Sequence, residues 1–368
     1  MKQTFFDDIT FPVVQCYMRA EEKLLRRIIA QCRSAGCFDK DAVQWDMAQL
    51  SDMGGLTRDA VKIIAKESKQ AQALLEEVLL EVAKKGLNGE EVSEGVQRVV
   101  RALSVQAKNS LNVVNTVMVS GVRNRYGEFT AILNTQRNAI LNQSAVEVAT
   151  GMKDYRQAVA GAVRQLARAG IPSHVDSAGR QWETEGYVSM DLRTTSANCF
   201  RGAVQEQANE NGLHVFQVSS HAGARPKCAP YQGKFYSDNN TYGEIEDAYG
   251  HKISYEPLSN TSYGEPDGLF GINCGHDRIY VSEGFYNRRE PLDKEQLEKN
   301  RQTYLNSQEQ RSIERQIRQA KREMTLLEDS KSEEAKGMII KVRDLEKEYR
   351  SFCDETGRTP RWDRTVIY

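Results

Sequence analysis

Over the first 150 residues the apolar positions recur every three or four places, the period of helices that bury one face. Leu24, Leu25, Ile28, Ile29 and Cys32 form one stripe, closed by Gly36. Thr57 opens a second helix with Val61 and Ile64 on one face, and Leu74, Leu75, Val78, Leu79 and Val82 form a third that Gly86 stops. The longest seam runs Val96, Val100, Leu103, Ala107, Leu111, Val114 and Met118, in steps of four, three, four, four, three and four. A seam of that length packs in a helical bundle rather than around a ligand.

Past residue 150 the pattern changes twice. Tyr155, Val159, Val163 and Leu166 continue the helical period until Gly170 and Pro172 end it. Ser177 to Arg180 reads as a turn between two short strands, the second holding Trp182, and 187–211 returns to helix. His214-Val-Phe-Gln-Val-Ser-Ser220 is rich in strand formers. From there to Tyr286, Gly, Asn, Ser and Pro are dense and short strands alternate with loops. Residues 291–352 read as a charged helical hairpin. Ile313, Ile317, Ala320, Met324 and Leu327 line one arm, and Met338, Val342, Leu345, Tyr349 and Phe352 line the other, in a coiled-coil-like register. The predicted fold is therefore α+β and mainly helical. Its expected parts are an N-terminal helical region (1–150), a small loop-rich α/β module (151–290), the C-terminal helical hairpin (291–352) and a basic tail (353–368).

Charge narrows the function. With 50 basic and 51 acidic residues the formal net charge is −1, which argues against bulk DNA condensation but leaves room for a local basic patch. No apolar run is long enough for a membrane span, and the first 20 residues lack a secretory pattern, so a soluble protein made in a reducing cytoplasm is expected. Seven scattered cysteines make no disulfide framework; Cys16, Cys32, Cys37, Cys199 and Cys353 read as ordinary half-buried residues. No Gly-rich phosphate loop supports nucleotide hydrolysis.

The chemistry concentrates in His221-Ala-Gly-Ala-Arg-Pro-Lys-Cys228 and Asn273-Cys274-Gly-His276. Thiolate sulfur and imidazole nitrogen are zinc ligands. In an extended chain Cys274 and His276 leave one face together, and the upstream loop can close a tetrahedral site with His221 and Cys228. The spacing is not that of a zinc ribbon; the reading rests on clustering in a stretch that needs a staple. One structural zinc on His221, Cys228, Cys274 and His276 is the expectation, beside the alternative of small buried cysteines and a hydrogen-bonded histidine.

Around these residues stand Arg225, then Tyr231-Gln232-Gly233-Lys234, Tyr236-Ser237, Tyr263-Gly264, Gly268-Leu269, Gly271 and Asn273. This order resembles the signature of the tailed-phage minor capsid proteins known as minor capsid protein 2. It is more distantly similar to Mu-like head-morphogenesis proteins. Members of the family often carry His where Cys228 stands, which supports a ligand there, and Cys at Phe270, Trp at Ile272 and Arg at Gly275; the change at Phe270 removes one possible ligand and that at Gly275 a possible phosphate or carboxylate contact. The resemblance implies an interaction protein rather than an enzyme. It would belong to the virion, inside the head near the portal, and act in head morphogenesis, DNA packaging or ejection. Its partners would be the portal protein and other head proteins, with contact to phage DNA and neither a membrane nor a small-molecule substrate. Arg225, Gln232, Gly233, Lys234 and Asn273 are expected to be structural, satisfying backbone groups that no ladder reaches.

Two enzyme readings compete. A Cys-His hydrolase would use Cys228 or Cys274 as nucleophile and His276 or His221 as base, but Cys274 and His276 flank one glycine, too local for the usual arrangement. An ADP-ribosyltransferase would use Arg193, Ser219-Ser220 and Glu244-x-Glu246, but Glu-x-Glu also occurs at Glu183/Glu185 and Glu346/Glu348. Arg311, Arg315, Arg318 and Arg322 read as a solvated face paired with Glu314 and Glu323. Arg361 and Trp362 in the tail are candidate anchors for a protein partner.

Overall fold

A computed structural model describes residues 5–36, 38, 45–89, 91–141, 145–177, 179–286 and 290–368. Cys37, and Ala178 in the expected turn, lie outside the described residues. The first helix, α1 (Phe5–Ser34), begins well before the stripe at Leu24 and carries Pro12 inside it. It extends that far because Phe6, Val13, Val14 and Tyr17 continue the buried face. Gly36 stops it with φ 74°, the left-handed conformation that glycine adopts without strain. Helix α2 (Trp45–Gly86) joins what the sequence suggested were two helices. It ends at Gly86 as expected, and the turn beyond is capped by Asn88-Gly89, where both residues have positive φ and Gly89 N–H reaches Lys84 O at 3.0 Å.

The long seam forms α3 (Glu94–Leu141). Ala107, Leu111, Val114 and Met118 are buried as expected, and Val122, Tyr126, Phe129 and Leu133 continue the line. Helix α4 (Ala145–Ala169) ends at Gly170. A side chain there would meet the Glu21 carboxylate at 2.4 Å. That carboxylate accepts the Ile171 N–H at 2.9 Å, so the turn is pinned by a buried acid.

Strands β1 (Pro172–Val175) and β2 (Gln181–Glu183) pair antiparallel around the expected turn. Helix α5 (Thr184–Glu210) follows. Then come β3 (Val215–Val218), β4 (Phe235–Ser237), β5 (Gly243–Glu246), β6 (Lys252–Pro257) and β7 (Arg278–Tyr280), in the sheet order β5-β6-β4-β3-β7. All neighbours are antiparallel except β4 and β6. Helices α6 (Lys294–Asp329) and α7 (Ala335–Thr356) are the hairpin arms. Among the described residues no helix is long and apolar enough to cross a membrane.

The chain divides into two compact units, each assembled from three stretches. Unit 1 comprises 1–14, 72–110 and 189–308, and unit 2 comprises 15–71, 111–188 and 309–368. Unit 1 holds the five-stranded sheet. Its core is Phe216, Val218, Tyr236, Leu258, Leu269 and Phe270, packed with Cys228 and Cys274. Unit 2 is helical apart from the β1–β2 pair. In its hairpin Ile313 and Ile317 pack on Tyr349 and Cys353, and Gly357 with φ 64° ends α7.

Two expectations are corrected within unit 2. The arginine row on α6 is not a solvated face. Arg318 is buried and pairs with Glu185, while Arg322 pairs with Glu21 at 2.8 Å and Glu22 at 3.4 Å. Glu314 accepts the Tyr349 hydroxyl at 2.7 Å, and Glu323 accepts Arg168 Nε at 2.9 Å. Only Arg315 of the row is exposed. The sequence pattern shows which residues share a face but not which other helices cover it; here α1, α4 and the start of α5 bring their charges to α6. The second correction is that Cys16, Cys32 and Cys353, like Cys199 in unit 1, are fully rather than half buried.

Candidate metal centre

The centre is built in unit 1 by two loops and a helix. One loop leaves β3 through His221, passes Cys228 and enters the short helical turn Ala229–Tyr231. The other is the irregular segment ahead of β7, shaped by Phe270 and Asn273 with φ of 61° and 58°. Asn is among the few side chains that tolerate this conformation. Asn273 therefore acts through its backbone, whose N–H meets Thr194 Oγ1 on α5 at 3.1 Å.

Arg201 of α5 holds the second loop in place. Its guanidinium donates to Cys274 O at 3.3 Å, His276 O at 3.1 Å and Phe270 O at 3.4 Å, and to Asn198 Oδ1 at 2.7 Å. Asn300 of α6 fixes the first loop, exchanging hydrogen bonds of 2.9 and 3.0 Å with the backbone of Ala224. Neither residue was singled out from the sequence. Arg201 carried a weak signal, since α5 buries Ala197, Cys199, Ala203 and Ala208 around it and leaves little polar face for an arginine to occupy.

These frames bring Cys228, Cys274 and His276 together, all buried, with one ligand atom from each lying within 4.8 Å of the others. Cys274 Sγ is 3.3 Å from His276 Nδ1 and accepts the Phe270 N–H at 3.1 Å. The Cys228 thiol lies 3.6 Å from Gly268 O. His221 stands beside the group rather than in it, its ring 4.3 Å from the His276 ring. Its Nδ1 is 3.2 Å from Ala222 O, which fixes the tautomer that leaves a lone pair on Nε2. That Nε2 and His276 Nε2 are both buried with no hydrogen-bond partner, as are Gln232 Nε2 and Asp277 Oδ1. Buried polar atoms are nearly always satisfied, so the orphaned imidazole nitrogens are suited to take a metal ion.

Electrostatics favour the ligand protonation state at Cys274 and His221, but not at Cys228. The Cys228 thiol beside it, His276 and the Arg201 guanidinium lower the Cys274 pKa against the effect of burial, so Cys274 is the thiolate of the pair. Cys228 is raised in response. Burial, then His276, pushes His221 down to about 4, keeping it neutral. Metal binding needs thiolate and neutral imidazole. Zinc bonds of about 2.3 Å to sulfur and 2.0–2.1 Å to nitrogen set tetrahedral edges of about 3.3–3.8 Å. The donor set therefore fits a metal ion with little movement.

The remaining motif residues shape the same loops. Gln232 Oε1 accepts the His221 N–H at 2.8 Å. Gly233 has φ 75°, and a Cβ there would meet the Pro291 backbone at 2.8 Å. Lys234 O accepts the Val218 N–H at 2.9 Å, while its side chain is exposed. Arg225 Nη2 donates to Ile272 O.

The enzyme candidates of unit 1 are occupied separately. Arg193 pairs with Asp7 at 3.3 Å, Ser219 Oγ accepts the Asp277 N–H at 2.8 Å, and Glu244, on edge strand β5, lies 3.8 Å from Lys252. In unit 2, the Trp362 ring meets Tyr349 edge-on at 5.0 Å with Arg350 5.2 Å above it, and Arg361 pairs with Asp363 at 2.9 Å. The tail is thus folded onto its own hairpin.

A family model described as phage minor capsid protein 2 matches residues 1–354. A relative named as a structural protein of Lactococcus phage LL-H is 26% identical over 296 residues, covering 77% of this chain and 77% of its own length. No solved structure matches.

Proposed function

The chain belongs to the phage minor capsid protein 2 family, and on that footing we propose that it is a portal-associated component of the phage head, acting by docking rather than catalysis. The observation that carries this reading is the family match over nearly the whole length, residues 1–354. The name of the Lactococcus phage relative supports a place in the particle. The role is head morphogenesis, DNA packaging or DNA ejection, with the portal and other head proteins as partners. The polar candidates for ADP-ribosyl transfer serve local contacts, and nothing in their placement favours that alternative.

In this reading one structural zinc sits on Cys228, Cys274 and His276, with His221 as the fourth ligand after a small rotation of its ring. Bound zinc would supply no reaction chemistry, only a cross-link between two loops. The residues around it orient the ligands: Arg201 holds the three carbonyls of the second loop, and Ala222 O sets the His221 tautomer. Arg225, Gln232, Gly233 and Asn273 keep the loops in ligand-bearing shape. The tail works on the hairpin, with Trp362 closing the Tyr349 face so that the pair presents one surface.

Mass spectrometry of purified particles tests the placement, combined with capture of the portal protein by tagged native chain. The chain is expected in mature or assembling heads and in the captured complex. Its absence from both, or NAD turnover by the native protein that Glu244→Gln/Glu246→Gln removes, would overturn the reading.

A further inference from the structure

One charged surface of unit 2 is not absorbed by the metal centre or by the hairpin. Along α2, Arg58, Lys62, Lys66 and Lys69 are all exposed. Their spacing of four, four and three places them within an arc of about 80° and over about 16 Å of helix. The two acids of residues 55–71 both pair with α1. Asp59 turns to Arg27 of α1 at 2.9 Å. Glu67 is buried and accepts Arg19 at 3.1 Å and Lys23 at 2.5 Å, also on α1. The fully exposed charged residues of this stretch are therefore all basic, with half-buried Asp59 beside Arg58 and Lys62 as the one acid near them, although the whole chain carries a net charge of −1.

We propose that this α2 stripe binds the phosphate backbone of double-stranded DNA without reading its sequence. Its composition distinguishes the occupant. Protein interfaces are depleted in Lys at their core and anchored by aromatic residues, and the one exposed large apolar residue here is Val61. Single strands are held by aromatic platforms for stacking, which the stripe lacks. Lysine binds phosphate as a point charge, and a row of such charges suits the regular charge of a duplex. The charges carry the site; for the source of the DNA, the genome in the particle, the inference rests on the virion assignment above.

The test is binding of the full-length native chain to a short mixed-sequence duplex, followed by fluorescence anisotropy from 50 to 200 mM salt. The triple variant Lys62→Gln/Lys66→Gln/Lys69→Gln should bind at least tenfold more weakly, with the log–log salt slope reduced by about 2.7. The charge-keeping Lys62→Arg/Lys66→Arg/Lys69→Arg variant should bind like the native chain. So should Lys341→Gln/Lys347→Gln, changed at two exposed lysines of α7. Native-like binding by the triple Gln variant would overturn the proposal, as would no duplex binding at 50 mM salt. Tighter binding to single strands, polyglutamate or anionic vesicles than to duplex would overturn it too. Particles that lack the chain would remove the virion reading and leave duplex binding standing, so the two failures are separable.

Discussion

The two units hold their main clusters of buried polar groups differently. Unit 2 neutralises them in pairs: Arg318 with Glu185, Arg322 with Glu21 and Glu22, and Arg168 with Glu323. Unit 1 leaves a knot of thiols and imidazoles around Cys228, Cys274 and His276, with unpartnered nitrogens on both His221 and His276. The difference follows from architecture. Long helices can carry a charge on one element to its opposite on another. Strands of three to six residues joined by loops have little interior of their own to do this, and in the proposed reading a bound metal would fill the gap.

The largest effect should come from breaking the apolar part of unit 2. Ile317→Asp puts a carboxylate among Ile313, Tyr349 and Cys353. The cost should be on the order of 4 kcal/mol, read as a fall in the denaturant midpoint. Ile317→Val should cost only about 1 kcal/mol. Metal content of unit 1 should be unchanged in both. If the two variants fall by similar amounts, the hairpin seam does not carry unit 2.

A smaller loss should follow from breaking one ion pair. Arg318→Met strands Glu185, and the expected cost is about 2–3 kcal/mol. That is below the usual range for a buried pair because the Glu185 side chain is 27% exposed. Adding Glu185→Met should restore most of the loss, since an apolar pair of similar volume replaces a buried ion pair at little net cost. A double variant no more stable than Arg318→Met would show that the pairing itself is needed.

Part of this contrast was legible in the sequence. The α3 seam and the hairpin registers were readable because a 3.6-residue period survives any arrangement of neighbours. Cys274 and His276 could be paired because residues two apart in extended chain share a side. Illegible were features that depend on distant partners. The parallel pairing of β4 with β6 and the clamps from Arg201 and Asn300 are of this kind. So is the burial of Arg318, whose partner Glu185 is more than 130 positions away. Proximity in sequence could not show that the His221 ring lies against His276 rather than among the sulfurs.

The smallest effect concerns pH. Burial raises the Glu22 and Glu185 pKa values despite the arginines near them. A raised carboxyl favours the protonated folded state. Its contribution is complete below the ordinary value of 4.5 and is lost as pH rises through the folded value. Unit 2 should therefore gain stability as pH falls from 7 toward 4.5. Glu22→Gln should flatten that gain and be at least as stable as the native chain at pH 7. Urea melts of both proteins at pH 5 and 7 measure it, and a native chain that loses stability over this interval with no change in slope in Glu22→Gln would contradict it.

The claim that unit 1 is stapled where unit 2 is paired rests on the metal. Elemental analysis of the native chain, purified without added metal and without chelator, measures it most directly when followed by thermal melting with and without chelator. The account predicts close to one zinc per chain, lost in Cys274→Ser, and a chelator-induced loss of structure confined to unit 1. A zinc content near zero with melting unmoved by chelator would contradict it.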